Sequence, residues 1–256
     1  MKLATTAARY DEAAVLARET GRRMAERLDL VRLAPTRIAD IGCATGAGLR
    51  ELQRRYPQAL PLAIDASPPL LAAVRSHVPL LQRLRGRVPC CLNATASALP
   101  LNRDSLDLAW SNLHLHWQDD PAALQATFAE LHRVLNVGGL LMFSMLGPDT
   151  LKELRNVYSS LGWPAPSHEF TDMHDWGDML VNAGFAEPVM DMERITLTFE
   201  SPQRLLAELR QLGRNFHPQR FAGLRGRRWL TRESPRLPAQ CRRSTRPRRR
   251  RRRRGP

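Results

Sequence analysis

The chain has few of the features that mark several broad protein classes. Its 256 residues contain four cysteines, Cys43, Cys90, Cys91 and Cys241, and none forms a C-x-x-C pair. A disulfide framework or zinc ribbon is therefore not expected, and vicinal Cys90-Cys91, ill placed for an ordinary disulfide, suits a reducing compartment. No histidines cluster at metal-ligand spacing; His174-Asp175 has no third ligand nearby, so no metal is expected. The first residues carry no apolar leader, and the longest apolar run, 140–146, is far too short to cross a bilayer. These absences predict a cytoplasmic protein that does not engage a membrane. No internal repeat is visible.

The body of the chain also lacks net charge. The whole excess of +14 lies in residues 225–256, where fifteen arginines face one acid, Glu233; residues 1–224 are balanced. The basic character of the whole says nothing about the body, so nucleic acid is expected only as a partner of the tail. The length allows one good core with room for an appended subdomain.

What is present alternates. An amphipathic helix covers 11–30, with Val15, Leu16, Met24, Leu28 and Leu30 on its apolar face. Strands are expected at 37–41, 60–64, 88–92, 106–111 and 140–146. Helices are expected at 47–56, 68–78 and 121–135, the last opened by Asp119-Asp120-Pro121. Gly138-Gly139 is expected to break the chain before the fifth strand. Further helices are expected at 149–160, from Thr171, and at 202–213, with a strand region at 188–199. Strand–helix alternation implies an α/β fold with a mostly parallel sheet and helices on both faces.

The most informative stretch is Ile38-Ala39-Asp40-Ile41-Gly42-Cys43-Ala44-Thr45-Gly46, followed nineteen residues later by Asp65 at the end of the second strand. Glycines here let backbone N–H groups approach a ligand, and an acid at that distance can accept two ribose hydroxyls. The spacing is G-x-x-x-G, not the G-x-G-x-x-G of dinucleotide sites. Asp40 is unhelpful beside a pyrophosphate but suits an ammonium group. S-adenosylmethionine carries an ammonium, a sulfonium and a ribose and no phosphate, so it fits better than NAD.

These residues resemble the first motif of class I S-adenosylmethionine-dependent methyltransferases, with a Rossmann-like fold. More narrowly, residues 7–225 are similar to the malonyl-acyl carrier protein O-methyltransferases of biotin synthesis. The similarity rests on Ala8-Arg9-Tyr10-Asp11-Glu12-Ala13-Ala14, the glycine loop, Ala98-Leu99-Pro100-Leu101, the run from Asp107 through Ser111-Asn112-Leu113-His114-Leu115-His116-Trp117, the run Leu146-Gly147-Pro148-Asp149-Thr150-Leu151-Lys152-Glu153-Leu154, and residues 172–199.

The resemblance implies roles. Asp40, Gly42 and Gly46 would hold the methionine end and Asp65 the ribose, with Cys43, Ala44 and Ala66 also at the cofactor. Ala94, Thr95 and Ala96 would lie along the adenine, Asn112 would face the reacting methyl, and Tyr10 would close over the site. His116 and Trp117 are expected in the acceptor pocket. Arg9, Arg18 and Arg214 are candidates for the cation that holds a substrate carboxylate. The expected partner is an acyl carrier protein bearing a malonyl group; Arg204, Arg210 and Arg214 could dock that acidic carrier. The expected layout is a cap helix at 1–30, the cofactor-binding domain at 31–200, a C-terminal helix at 201–224 and a disordered Arg/Pro-rich tail at 225–256.

Three departures from the family pattern stand out. Ala44 replaces a usual middle glycine, which is tolerable at negative φ. Thr95 replaces an acid that usually meets the adenine amino group. The tail has no strand pattern, so the family's final antiparallel strand is expected to be missing. Its composition reads as an out-of-frame translation of GC-rich DNA, the alternative being a basic tail for nucleic acid. Other readings of the whole chain are a methyltransferase acting on a protein side chain or small molecule, and a non-catalytic S-adenosylmethionine-binding protein.

Overall fold

The computed structural model describes residues 7–84, 88–117, 121–167 and 169–212. Five strands form one parallel sheet: β1 (Arg37–Ile41), β2 (Leu60–Asp65), β3 (Cys90–Asn93), β4 (Leu106–Asn112) and β5 (Leu135–Ser144). Their order is β3-β2-β1-β4-β5. The chain thus winds outward from β1 to β3, then crosses back to β4 beside β1. The carboxyl ends of β1 and β4 flank the reversal point, where ligands bind in open parallel sheets. β1 and β2 are buried almost throughout, as strands covered on both faces must be.

The helices are α1 (Ala7–Ala13), α2 (Val15–Arg27), α3 (Ala47–Arg55), α4 (Pro68–Ser76), α5 (Leu80–Leu84), α6 (Pro121–Val134), α7 (Lys152–Ser160), α8 (Met173–Asn182) and α9 (Pro202–Leu212). On one sheet face Ile38, Leu108 and Trp110 pack with Met24, Ala25 and Leu28 and with Leu52 of α3. On the other, Ala39, Ile41 and Ala109 pack with Leu124, Phe128 and Leu131 of α6 and Trp176 and Leu180 of α8. Phe128 meets Trp176 edge-on at 5.7 Å, worth roughly 0.5–1.5 kcal/mol beyond burial. Asp107 fastens the sheet's amino edge. It accepts from Thr36 N (2.7 Å), Thr36 Oγ1 (2.7 Å), Arg37 N (2.9 Å) and Asn136 Nδ2 (2.6 Å).

Several expected boundaries move. The single helix over 11–30 is two, because Ala14 leaves the helical region at φ −77°, ψ 37°. Asp119 and Asp120, expected to cap α6, lie outside the described residues. Gly138-Gly139 does not precede β5 but sits inside it. The register jumps from Leu106↔Leu135 to Leu108↔Leu140, with Gly138 at φ +77°. A side chain at Gly139 would come within 2.8 Å of Asn136 O, so the bulge requires glycine.

Residues 188–199, expected as a strand, carry no ladder in the described residues. A strand needs a hydrogen-bonding neighbour, and sequence alternation alone cannot supply one. The final strand and the tail are matters of residues 213–256, outside the described residues.

Among the described residues two compact units are distinguished: residues 7–150 with 170–193, and residues 151–169 with 194–212. The first holds the sheet. In the second, Leu154, Val157 and Tyr158 of α7 cluster with Leu209 of α9 and Trp163. Among the described residues no helix is long and apolar enough to cross a membrane.

Candidate functional site

The glycine turn folds over the end of β2. Gly42 N and Cys43 N both donate to Ile64 O, at 2.8 and 3.1 Å, and Gly46 N donates to Cys43 O at 2.7 Å. Gly42 and Gly46 stand at φ +73° and +82°, which glycine adopts without a steric penalty. Ala44 does not meet the condition set for it: its φ is +47°, so its methyl sits in the left-handed region at a cost of about 1–2 kcal/mol. Asp65 stabilises that conformation. Its Oδ2 accepts from Ala44 N at 3.0 Å and its Oδ1 from Ser67 N at 2.8 Å. Each carboxylate oxygen keeps a lone pair for a ribose hydroxyl.

Asp40 is only 3% exposed, beneath the head of α3. Gly46 is the N-cap of α3 and has no side chain to offer an orphan N–H. Asp40 takes that role from β1, accepting a backbone hydrogen bond from Leu49. Burial, opposed by Leu49 N and Arg50 and helped by Asp65, pushes its carboxyl up to about 7. Asp40 therefore supports the loop from below.

Tyr10, on α1, has its phenol pushed up to about 12, first by burial and then by Asp65, Asp11, Asp40 and Cys43. That set of neighbours places Tyr10 at the glycine turn. Asp11 on the same helix fastens it, accepting from Thr45 Oγ1 at 2.5 Å. The Arg18 guanidinium donates to Asp11 O. Nothing is described of the Arg9 side chain or of Arg214.

Asn112 is held between α2 and β5. Its Nδ2 donates to Ala17 O at 2.7 Å and its Oδ1 accepts from Ser144 Oγ at 2.7 Å. The bond to α2 is reachable because Gly21 has no side chain; a Cβ there would lie 3.0 Å from Asn112 Nδ2. Two residues on, His114 lies against the glycine turn. Its ring lies on Gly42, where a Cβ would overlap it at 2.0 Å. Desolvation lowers the His114 pKa and nearby Asp65 raises it, with a net fall that leaves the ring neutral at pH 7. The Gly42–His114 contact has no sequence signature beyond position at the end of β4.

Of the remaining residues, Cys43 is core, packed with Leu49, Ala63, Leu71 and Val74; burial pushes its thiol pKa far up. Ala96 is also core. Ala66 and Thr95 are exposed, and Ala94 half-buried, around the carboxyl ends of β2 and β3. Thr95 Oγ1 lies 3.3 Å from Ser97 Oγ. His116 is buried, its ring 5.1 Å from the half-exposed Trp117 ring and 5.7 Å from Phe170 in an edge-on contact. His174 bonds Asp172, the cap of α8, at 2.6 Å, which explains that histidine locally.

This crevice presents two glycine-opened approaches and two carboxyl groups, with a phenol and a neutral imidazole above them. Among the described residues, the cation at the loop is Arg50, whose guanidinium is turned to Thr45 O at 2.9 Å. The two carboxyl groups favour a cationic nucleoside over a pyrophosphate. Residues 39–143 match a family model described as a methyltransferase domain. The YcgJ protein of Bacillus subtilis shares the fold, at a TM-score of 0.55 and 16% identity over 75% of this chain and 82% of that one. The Malonyl-[acyl-carrier protein] O-methyltransferase of Laribacter hongkongensis is 48% identical over 225 residues, 86% of this chain and 75% of its own length. That of Gallionella capsiferriformans is 48% identical over 85% of this chain and 75% of its own length. Halorhodospira halophila has one at 44%, over 86% and 72%. With a crevice suited to S-adenosylmethionine and this extent of identity, the chain is an S-adenosylmethionine-dependent methyltransferase and belongs to the malonyl-[acyl-carrier protein] O-methyltransferase family.

Proposed function

We propose that the chain methylates the free carboxylate of a malonyl group carried as a thioester on an acyl carrier protein, at an early step of biotin synthesis. The observation that carries this reading is the 48% identity over 225 residues to a relative with that printed activity. When bound, S-adenosylmethionine supplies a methyl group on a sulfonium. The chain's residues have little acid–base work, because a carboxylate is already ionised at neutral pH. They must align donor and acceptor and keep water out. Asp65 would orient the ribose. Tyr10, fastened through Asp11 and Thr45, would close the crevice from α1. The neutral His114 ring adds no positive charge beside the cationic donor. His116, Trp117 and Phe170 would form an aromatic wall for the acyl chain. Docking of the acidic carrier is assigned to the arginines of α9, where Arg204 pairs with Glu208 and Arg210 is exposed.

The test is incubation of the chain with S-adenosylmethionine and malonyl-loaded carrier, read by mass spectrometry of the carrier. One methyl ester per malonyl group is expected, together with rescue of a biotin-requiring strain that lacks its own methyltransferase. Methylation of another protein or small molecule with the loaded carrier untouched would reject the substrate assignment.

A further inference from the structure

The indole of Trp110 is wholly buried, yet its Nε1–H has no hydrogen-bond acceptor. An unpaired buried donor costs about 1–3 kcal/mol, so a sheet residue that carries one calls for an explanation. Its neighbour in the ladder supplies it. Trp110 on β4 stands opposite Asp40 on β1. Both side chains point beneath the first turn of α3, towards Gly48. A Cβ at Gly48 would be 2.8 Å from Asp40 Oδ2 and 2.8 Å from Trp110 Nε1. The only glycine inside α3 thus leaves a buried acceptor and an unused donor facing the same spot.

We propose that Trp110 is a positioning residue for the cofactor: its indole N–H closes onto the Asp40 carboxylate when a cationic nucleoside occupies the crevice, tying ligand charge to the head of α3. This inference rests on the cofactor reading given above. The groups that face Asp40 are Asp65 from β2, Arg50 from α3, Tyr10 from α1 and Cys43 from the glycine turn. None of them donates the second hydrogen bond that a buried carboxylate needs to stay ionised; Leu49 N supplies only the first. A cation arriving nearby favours the ionised form, and Trp110 is the donor already placed to hold it.

The experiment is calorimetric titration of S-adenosylmethionine into the full chain at about pH 5 and about pH 8.5, which bracket the Asp40 titration. The readout is the affinity of a variant divided by that of the unaltered chain at the same pH. That ratio cancels titration of His114 and of the ligand's own amine. For Trp110→Phe a loss of about ten-fold is expected at low pH, where the free chain holds Asp40 protonated and the arriving ligand ionises it, the size of one hydrogen bond to a charged group. At high pH Asp40 is ionised with or without ligand, the bond forms in both states, and a ratio near one is expected. A loss of the same factor at both pH values, or none, would overturn the proposal, since a packing role alone does not depend on Asp40 ionisation. Asp40→Asn decides the matter if Trp110→Phe fails to fold. It should bind relatively worse at high pH, and an equal ratio at both would overturn the proposal. If the unaltered chain binds no S-adenosylmethionine, the cofactor reading itself fails, and this inference with it.

Discussion

Ala44 and Asp40 show how single residues in the loop are held in unfavourable states by their neighbours. Ala44 keeps a left-handed backbone because its N–H is bonded to Asp65. Ala44→Gly removes the strain but adds freedom to the unfolded chain, so a net gain of about 0.5–1 kcal/mol is expected. Urea unfolding should show the midpoint rising with an unchanged slope. Asp40 is held where burial favours its neutral form, raising its pKa from the ordinary 3.8 to about 7. The folded chain therefore binds this proton more tightly than the unfolded chain. The stabilisation is complete below about pH 4 and is lost as pH rises through about 7, a difference on the order of 4 kcal/mol. Asp40→Asn should remove that part of the pH dependence. Thermal melts should show it gaining on the unaltered chain as pH is raised from about 5 to about 8; parallel melting curves would contradict the assignment.

At the scale of elements, α3 is the most constrained. Its N-cap is a glycine, its capping oxygen comes from another strand, and Gly48 lies over two buried polar atoms. Alanine normally stabilises a helix interior by about 1 kcal/mol over glycine. At Gly48 the added methyl would press to 2.8 Å on Asp40 and Trp110, both rooted in strands. Gly48→Ala is therefore expected to destabilise by about 1–3 kcal/mol, despite the better propensity. Comparison with Ala substitution at exposed Arg54 of the same helix, by urea unfolding, separates the two effects. The N-terminal segment shows the same dependence on partners. Its break at Ala14 lets α1 carry Tyr10 and Asp11 to the glycine turn while α2 lies on the sheet.

For the whole molecule, charge is unevenly placed along the chain. Residues 1–224 are neutral, and residues 225–256 carry the entire +14. Retention on a cation exchanger and any salt-sensitive binding to nucleic acid should therefore disappear when 225–256 are removed. Methyl transfer should survive that removal. Loss of transfer with retained S-adenosylmethionine binding would instead assign the tail to recognition of the carrier. Along the body, Arg23 and Arg27 of α2 pair with Asp191 and Glu193, holding the segment after α8 to the first unit.

Much of this was legible in the sequence. Strand–helix alternation with an acid after the second strand required a parallel sheet with a nucleoside crevice, because backbone chemistry and ligand reach set those spacings locally. Resemblance in residues 111–117 and 146–154 carried the family. What only tertiary structure decided depends on contacts between residues far apart in the chain. It bonded Asn112 to α2 and Ser144, and it laid His114 on Gly42. It put Gly138-Gly139 inside β5, and among the described residues it gave 188–199 no ladder. It also set Trp110 against Asp40 across two strands about seventy residues apart in sequence. A local pattern fixes an element and its faces; which side chains meet there depends on register and packing, which no stretch of sequence contains by itself.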